Sequence, residues 1–186
     1  MAKISLQDVL ARWAYSEISD ANLSQEYDRS PFIPLYRAQL NDLRSKRGSG
    51  VTFNELDHTD RYWLSFMCSC VRPNLMIFMA GIEHFDEVDL DKTDLAKLLV
   101  PTMVHGQGFT PTGEGFFLSF ADYIQTSSCE PKDARNVTGD YRPAAEAISI
   151  GRFGQHLVLL DGYHRAASFW KFASADASIT AYRPTF

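Results

Sequence analysis

The residues best suited to chemistry stand together near the C-terminal end, where Asp161-Gly162-Tyr163-His164-Arg165 follows the apolar run Leu157-Val158-Leu159-Leu160 and leads into Ala166-Ala167-Ser168-Phe169-Trp170. An unbroken apolar run suits a buried strand, Asp-Gly suits a tight turn, and an Ala-rich aromatic stretch suits a helix. A strand, turn and helix start of this kind can receive an anion. Gly162 lets the backbone approach a ligand, and the first amides of the helix point outward at its positive end. His164 and Arg165 add cationic donors, and a guanidinium can grip two phosphate oxygens at once. Two cations in a first helical turn oppose the helix dipole, so the pattern calls for an anionic ligand or a fixed acidic partner. In the plainer alternative, Arg165 pairs with an internal carboxylate and His164 is an ordinary core or surface residue.

Turnover of a phosphorylated ligand needs an acid, to hold magnesium or to accept a proton. Asp161 is the nearest candidate, although it could equally cap the helix that follows. His164 is the second candidate catalytic residue, because imidazole exchanges protons near neutral pH. Glu114, Asp140 and Glu146 are further acids that spacing alone does not place.

The Asp-Gly-x-His-Arg run between a hydrophobic strand and a helix resembles the signature of the ParB/sulfiredoxin superfamily over roughly the last forty residues, Ala147 to Pro184. That resemblance implies a small mixed α/β (α+β) fold in which the turn Gly162, Tyr163, His164 and Arg165 binds the phosphates of a nucleotide of the ATP or CTP type, with Mg2+ as a candidate companion. It carries no catalytic acid onto this chain. Sulfiredoxins place their catalytic cysteine between the Gly and the His, where this chain has Tyr163, so sulfinic acid reduction is not expected. ParB-like nucleases belong to the same superfamily.

The elements that must position this turn are legible in part. Hydrophobic spacing predicts a helix opening at Ser5 and Asp8, with Leu6, Val9, Leu10, Trp13 and Ile18 at helical spacing, ending before Ala21. A loop through Ser30-Pro31 should lead to a second helix with Pro34 in its first turn, closed by Arg44, Lys46 and Arg47 ahead of Gly48. Thr52 and Glu55 form a capping signature before a third helix that Pro73 should end. Leu75 to Ile82 fits a strand or a helix, with the balance to helix. Phe85 to Asp94 reads as a solvated acidic face, with a short helix starting at Thr93 or Asp94. Pro101 to Gly115 reads as a loop, Phe116 to Ile124 as a strand or short helix, and Gln125 to Pro143 as irregular chain. Ala147 to Arg152 and His156 to Leu160 flank Phe153-Gly154-Gln155 as in a hairpin, a helix runs from His164 to about Ala173, and Ser178 to Tyr182 closes as a strand. This divides the chain into a helical region at 1–100, expected to pack on the core, and the ParB/sulfiredoxin-like part at 101–186, the two together expected as one compact unit.

Bulk composition sets the outer bounds. The 186 residues are 45% hydrophobic and 22% charged, as in ordinary folded domains. A net charge of −5 argues against a broad electrostatic footprint for duplex DNA, so any nucleic-acid contact would be local. The richest apolar tract, Tyr62 to Ile82, is interrupted by Arg72-Pro73-Asn74, which argues against a membrane span. Three cysteines form no even disulfide framework and no leader pattern precedes the first helix, so a reduced, cytoplasmic setting is expected.

Two other constellations are weaker. Cys68-Ser69-Cys70 with His58 and His84 lacks the Cys-x-x-Cys spacing of a zinc clasp, so Cys68, Cys70 and Cys129 are expected to be structural thiols and no metal ligands are assigned. His105-Gly106-Gln107-Gly108 resembles a hydrolase oxyanion loop, but no Gly-x-Ser-x-Gly elbow accompanies it; His105 is kept as a second wall of the site. The expectation is therefore a nucleotide- or phosphate-binding protein, with phosphoryl transfer or nucleotide hydrolysis ahead of nuclease activity. The alternatives are a non-catalytic module gripping nucleic acid or a protein partner, and a domain in which the motif is architecture and the N-terminal helices are the interaction surface.

Overall fold

The structure, a computed structural model, describes residues 3–20, 23–101, 117–126, 133–139, 141 and 146–185. His105, Glu114, Cys129, Asp140 and almost all of the Pro101–Gly115 loop lie outside the described residues. The chain forms two compact units, Lys3–Phe85 and Asp86–Phe186.

The first unit is helical. Ser5 caps helix α1 (Leu6–Glu17) by accepting from the Asp8 amide at 3.1 Å. Helix α2 (Ser24–Arg29) occupies part of the stretch expected as loop. Helix α3 (Ile33–Gly48) has Pro34 in its first turn, where the missing amide costs no hydrogen bond. Gly48 is its last residue and not its cap; Ser49 follows, and the left-handed position falls on Gly50, φ 86°. Asp57 caps α4 (His58–Val71), which ends two residues before Pro73. The Thr52/Glu55 box heads a 3₁₀ turn, Phe53–Glu55, one step ahead of α4. Leu75 to Ile82 is not an α-helix: a 3₁₀ segment covers Pro73–Phe78. Val9, Leu10, Trp13 and Ala14 are buried, as are Tyr27, Tyr36, Leu40, Leu64 and Met67. Each large apolar side chain so enclosed contributes about 1.5–3 kcal/mol.

Within this unit Ile4–Ser5 (β1) pairs antiparallel with the start of β2 (His84–Leu90). The acidic stretch after Phe85 is thus mainly a strand. From Asp86 on, exposure alternates: Glu87 and Asp89 are exposed while Asp86 and Val88 are half-buried and Leu90 is buried, a period that a reading by charge overlooks. Asp91 caps α5 (Lys92–Lys97), followed by β3 (Leu99–Pro101), β4 (Phe117–Ser119) and α6 (Phe120–Gln125). The chain closes with β5 (Ile148–Phe153), β6 (His156–Asp161), α7 (Tyr163–Phe172) and β7 (Ile179–Pro184). These elements give an α+β fold whose mixed sheet has the order β1-β2-β7-β5-β6-β3-β4.

Three pairings fix the site. β5 and β6 form the expected hairpin around Gly154, β5 runs parallel to β7, and β6 runs parallel to β3. β6 is therefore an inner strand with Val158, Leu159 and Leu160 buried, as its continuous apolar run requires. Helix α7 buries Ala166, Ala167 and Phe169 in a core shared with Ile148, Ile150, Leu159, Phe120 and Ile179.

Candidate functional site

The turn after β6 is built around one backbone conformation. Gly162 holds φ 85° and ψ 26°, left-handed values that a side chain disfavours, and caps α7. A Cβ there would stand 2.6 Å from Ile148 Cγ2, and 2.9 and 3.0 Å from Arg165 Nη2 and Nε. Both the dihedral angle and the crowding demand glycine. The helical ladder starts with the Ala166 amide donating to Gly162 O at 2.8 Å, so the amides of residues 163–165 precede it at the positive end of the helix.

A register shift sits beside this turn. Ser149 pairs with Asp161 and Ile150 with Leu159, so Leu160 is an extra residue on β6. Such a bulge re-aims the side chain that follows it, here Asp161.

Arg165 lies across the turn and not out in solvent. Its Nη2 donates to Asp161 Oδ2 at 2.8 Å and to Ala147 O at 3.3 Å, and its Nη1 to Glu146 Oε2 at 3.3 Å. The structure thus brings together Asp161, Gly162, Arg165 and, of the further acids, Glu146. Arg165 Nε is buried and has no acceptor among the described residues. The side chains of Arg165, Asp161 and Glu146 retain 22%, 17% and 38% of their exposure, so the cluster is reachable from water. Two carboxylates share one guanidinium, leaving the trio with a formal excess of negative charge.

The two remaining residues of the turn diverge. His164 is exposed. Tyr163 turns its ring into the core and donates its hydroxyl to Leu159 O at 2.6 Å; burial pushes its pKa well above the ordinary tyrosine value. Only the backbone of Tyr163 is placed to meet a ligand. Behind it, Tyr123 packs edge-on against Tyr163 and under the Arg135 guanidinium, which Asp133 holds through two contacts of 2.8 Å. The contact of Ile148 with Gly162 is a feature that sequence reasoning missed, since nothing in the spacing of residues 148 and 162 signals it.

Cys68 is buried and Cys70 partly so, neither in a disulfide, and among the described residues no group of three or more His, Cys, Asp or Glu could hold a metal ion. No helix among the described residues is long and apolar enough to cross a membrane. No protein-family model, curated protein or solved structure matches the chain.

Proposed function

We propose that the unit Asp86–Phe186 is a ParB/sulfiredoxin-like binder of a nucleotide or another phosphorylated small molecule, held at the N-terminal end of α7. The observation that carries this reading is the left-handed Gly162 between an inner strand and a ten-residue helix, which sets the amides of 163–165 ahead of the helical hydrogen-bond ladder, at its positive end. His164 supplies an imidazole on the solvent side. Arg165, steadied by Asp161 and Glu146, lends one edge of a preorganised guanidinium.

The carboxylate excess bears on the form of the ligand. A bare phosphate would be repelled by Asp161 and Glu146, whereas a nucleotide carrying Mg2+ would meet oxygen donors of the kind that ion accepts. Asp161 and Glu146 are the residues that would hold it, and bound Mg2+ would offset the phosphate charge. For turnover, by hydrolysis or phosphoryl transfer, Asp161 and His164 are the residues placed to move a proton.

A second reading is favoured by the same ion pairs: Arg165 fastens the β5–β6 hairpin to α7 and the turn is architecture. Thermal shift and calorimetry with ATP and CTP, with and without Mg2+, on the unmutated and Arg165→Ala proteins separate the two. A charge-assisted hydrogen bond is worth roughly 1.5–3 kcal/mol, so a binding role predicts affinity about ten- to a hundredfold weaker in the variant. Lost stability with unchanged affinity would establish the architectural reading.

A further inference from the structure

A cleft of about 330 Å³ lies between α3 and α4 of the helical unit, a volume within the roughly 300–1,000 Å³ of ligand sites. The two helices run past each other so that Lys46 of α3 reaches Asp60 of α4, while Tyr36 meets Phe66 edge to face at 6.3 Å. Between those two contacts the cleft is lined by Gln39, Asp42 and buried Leu43 from α3, and by Thr59, Asp60 and Trp63 from α4.

The charged residues of this lining are both acids. The Lys46 ammonium, which is not part of the lining, stands 2.9 Å from Asp42 Oδ2 and 2.8 and 3.0 Å from the two oxygens of Asp60. One cation thus answers two carboxylates, and a negative charge is left over. It falls to Asp42, whose side chain keeps 61% of its exposure against 14% for Asp60. Lys46 also takes the position from which a metal ion could bridge the two acids. Trp63 is held by edge-to-face contacts with Tyr62 at 6.0 Å and Phe66 at 5.8 Å, and an indole is the aromatic group that attracts a cation most strongly. Gln39 and Thr59 add neutral oxygens that can accept from N–H donors.

We propose that this cleft receives the guanidinium or ammonium head of an organic cation, with the charge on Asp42 and the apolar stem along Trp63 and Leu43. An anion would be repelled by the two acids, and a wholly apolar group would strip water from Asp42, Gln39 and Thr59 without replacing its hydrogen bonds. The cation comes either from a small free amine or from an arginine or lysine side chain of a peptide. The site belongs to the unit Lys3–Phe85 and does not depend on the turn at Gly162.

The test is an NMR titration of the full chain that follows the Trp63 indole N–H signal, identified by its absence in Trp63→Phe. The probes are N-acetylargininamide, its neutral isostere N-acetylcitrullinamide, agmatine and an end-blocked Leu-Arg-Leu peptide. The guanidinium probes should shift the signal saturably, and the citrulline isostere should bind about tenfold more weakly or worse. Asp42→Asn should weaken N-acetylargininamide binding about tenfold or more. That variant loses only an exposed ion pair, which is worth little to the fold. Tighter binding of the peptide than of agmatine identifies a peptide side chain as the source, and equal or weaker binding identifies a free amine. No saturable shift with any guanidinium probe, equal affinity for the citrulline isostere, or unchanged affinity in Asp42→Asn each overturns the proposal.

Discussion

Replacing Gly162 by alanine tests the construction of the turn most directly. Two costs add. The residue sits at φ 85°, where a side chain loses roughly 1–2 kcal/mol. The new methyl would also stand 2.6 Å from Ile148 Cγ2, and Ile148 is fully buried and cannot swing away. Overpacking of this kind costs roughly 1–3 kcal/mol. The total of roughly 2–5 kcal/mol should lower the melting temperature by about 4–20 °C in a chain of this size. Gly154→Ala supplies the control, because Gly154 also has positive φ, 60°, but open space where its Cβ would lie. Urea denaturation of both variants isolates the packing cost as their difference. A double-mutant cycle with Ile148→Ala should then show coupling of about 1 kcal/mol or more, since removing Cγ2 relieves the clash. If Gly162→Ala is no more destabilising than Gly154→Ala, or the cycle is additive, the close approach of β5 to the turn is refuted.

Three further expectations concern the rest of the molecule. Glu17 is buried and accepts from Trp13 Nε1, Tyr27 Oη and Arg72 Nη2 at 3.0, 2.7 and 2.9 Å, while Arg72 also meets Glu26. Glu17→Ala should cost about 3–5 kcal/mol in urea denaturation, because it leaves a buried guanidinium short of a partner; a loss near zero would show that the network contributes nothing. Burial raises the pKa values of Tyr27, Tyr123 and Tyr163, so folding favours their neutral hydroxyls. Their contribution is full below about pH 10, the unfolded value, and is lost as pH rises through the folded values, so denaturation midpoints should fall above about pH 10 together with the rise of tyrosinate absorbance. Ionisation of all eight tyrosines at about pH 10 without loss of structure would contradict this. Chelators should leave the melting temperature unchanged, as expected for thiols that ligate no ion; stoichiometric zinc in protein purified without added metal would overturn that assignment.

What was legible in the sequence were the features set by local chemistry. Ser5, Thr52, Pro34 and Pro73 mark their boundaries because caps and prolines act within one turn of chain. The hairpin around Gly154 and the inner strand β6 follow from alternation and from a continuous apolar run. Strand β2 was hidden because its acids dominate the reading by charge, and only its pairing gives the alternation meaning. β3 has three residues, too few for any period to register. At the site, Gly162 and its helix were legible, whereas Glu146 found its place only through the register of β5 on β6 and the fold of Arg165 back over the turn.

That fold of Arg165 changes what its charge signifies. A cation in the first turn of a helix opposes the dipole and calls for a compensating anion. Here Asp161, four residues earlier, and Glu146 supply it from within the protein, so the cation alone is no pointer to a ligand. Arg165 therefore shares the ligand-facing chemistry with the amides of 163–165, exposed His164 and the outer edges of two carboxylates. A site so composed discriminates by charge: it should take a phosphate accompanied by a divalent cation over the same phosphate alone. In calorimetry on the unmutated protein, Mg2+ should therefore strengthen nucleotide binding, and Asp161→Asn with Glu146→Gln should abolish that dependence while raising affinity for the metal-free nucleotide. Metal-independent binding that is indifferent to both carboxylates would place the anion somewhere other than this turn.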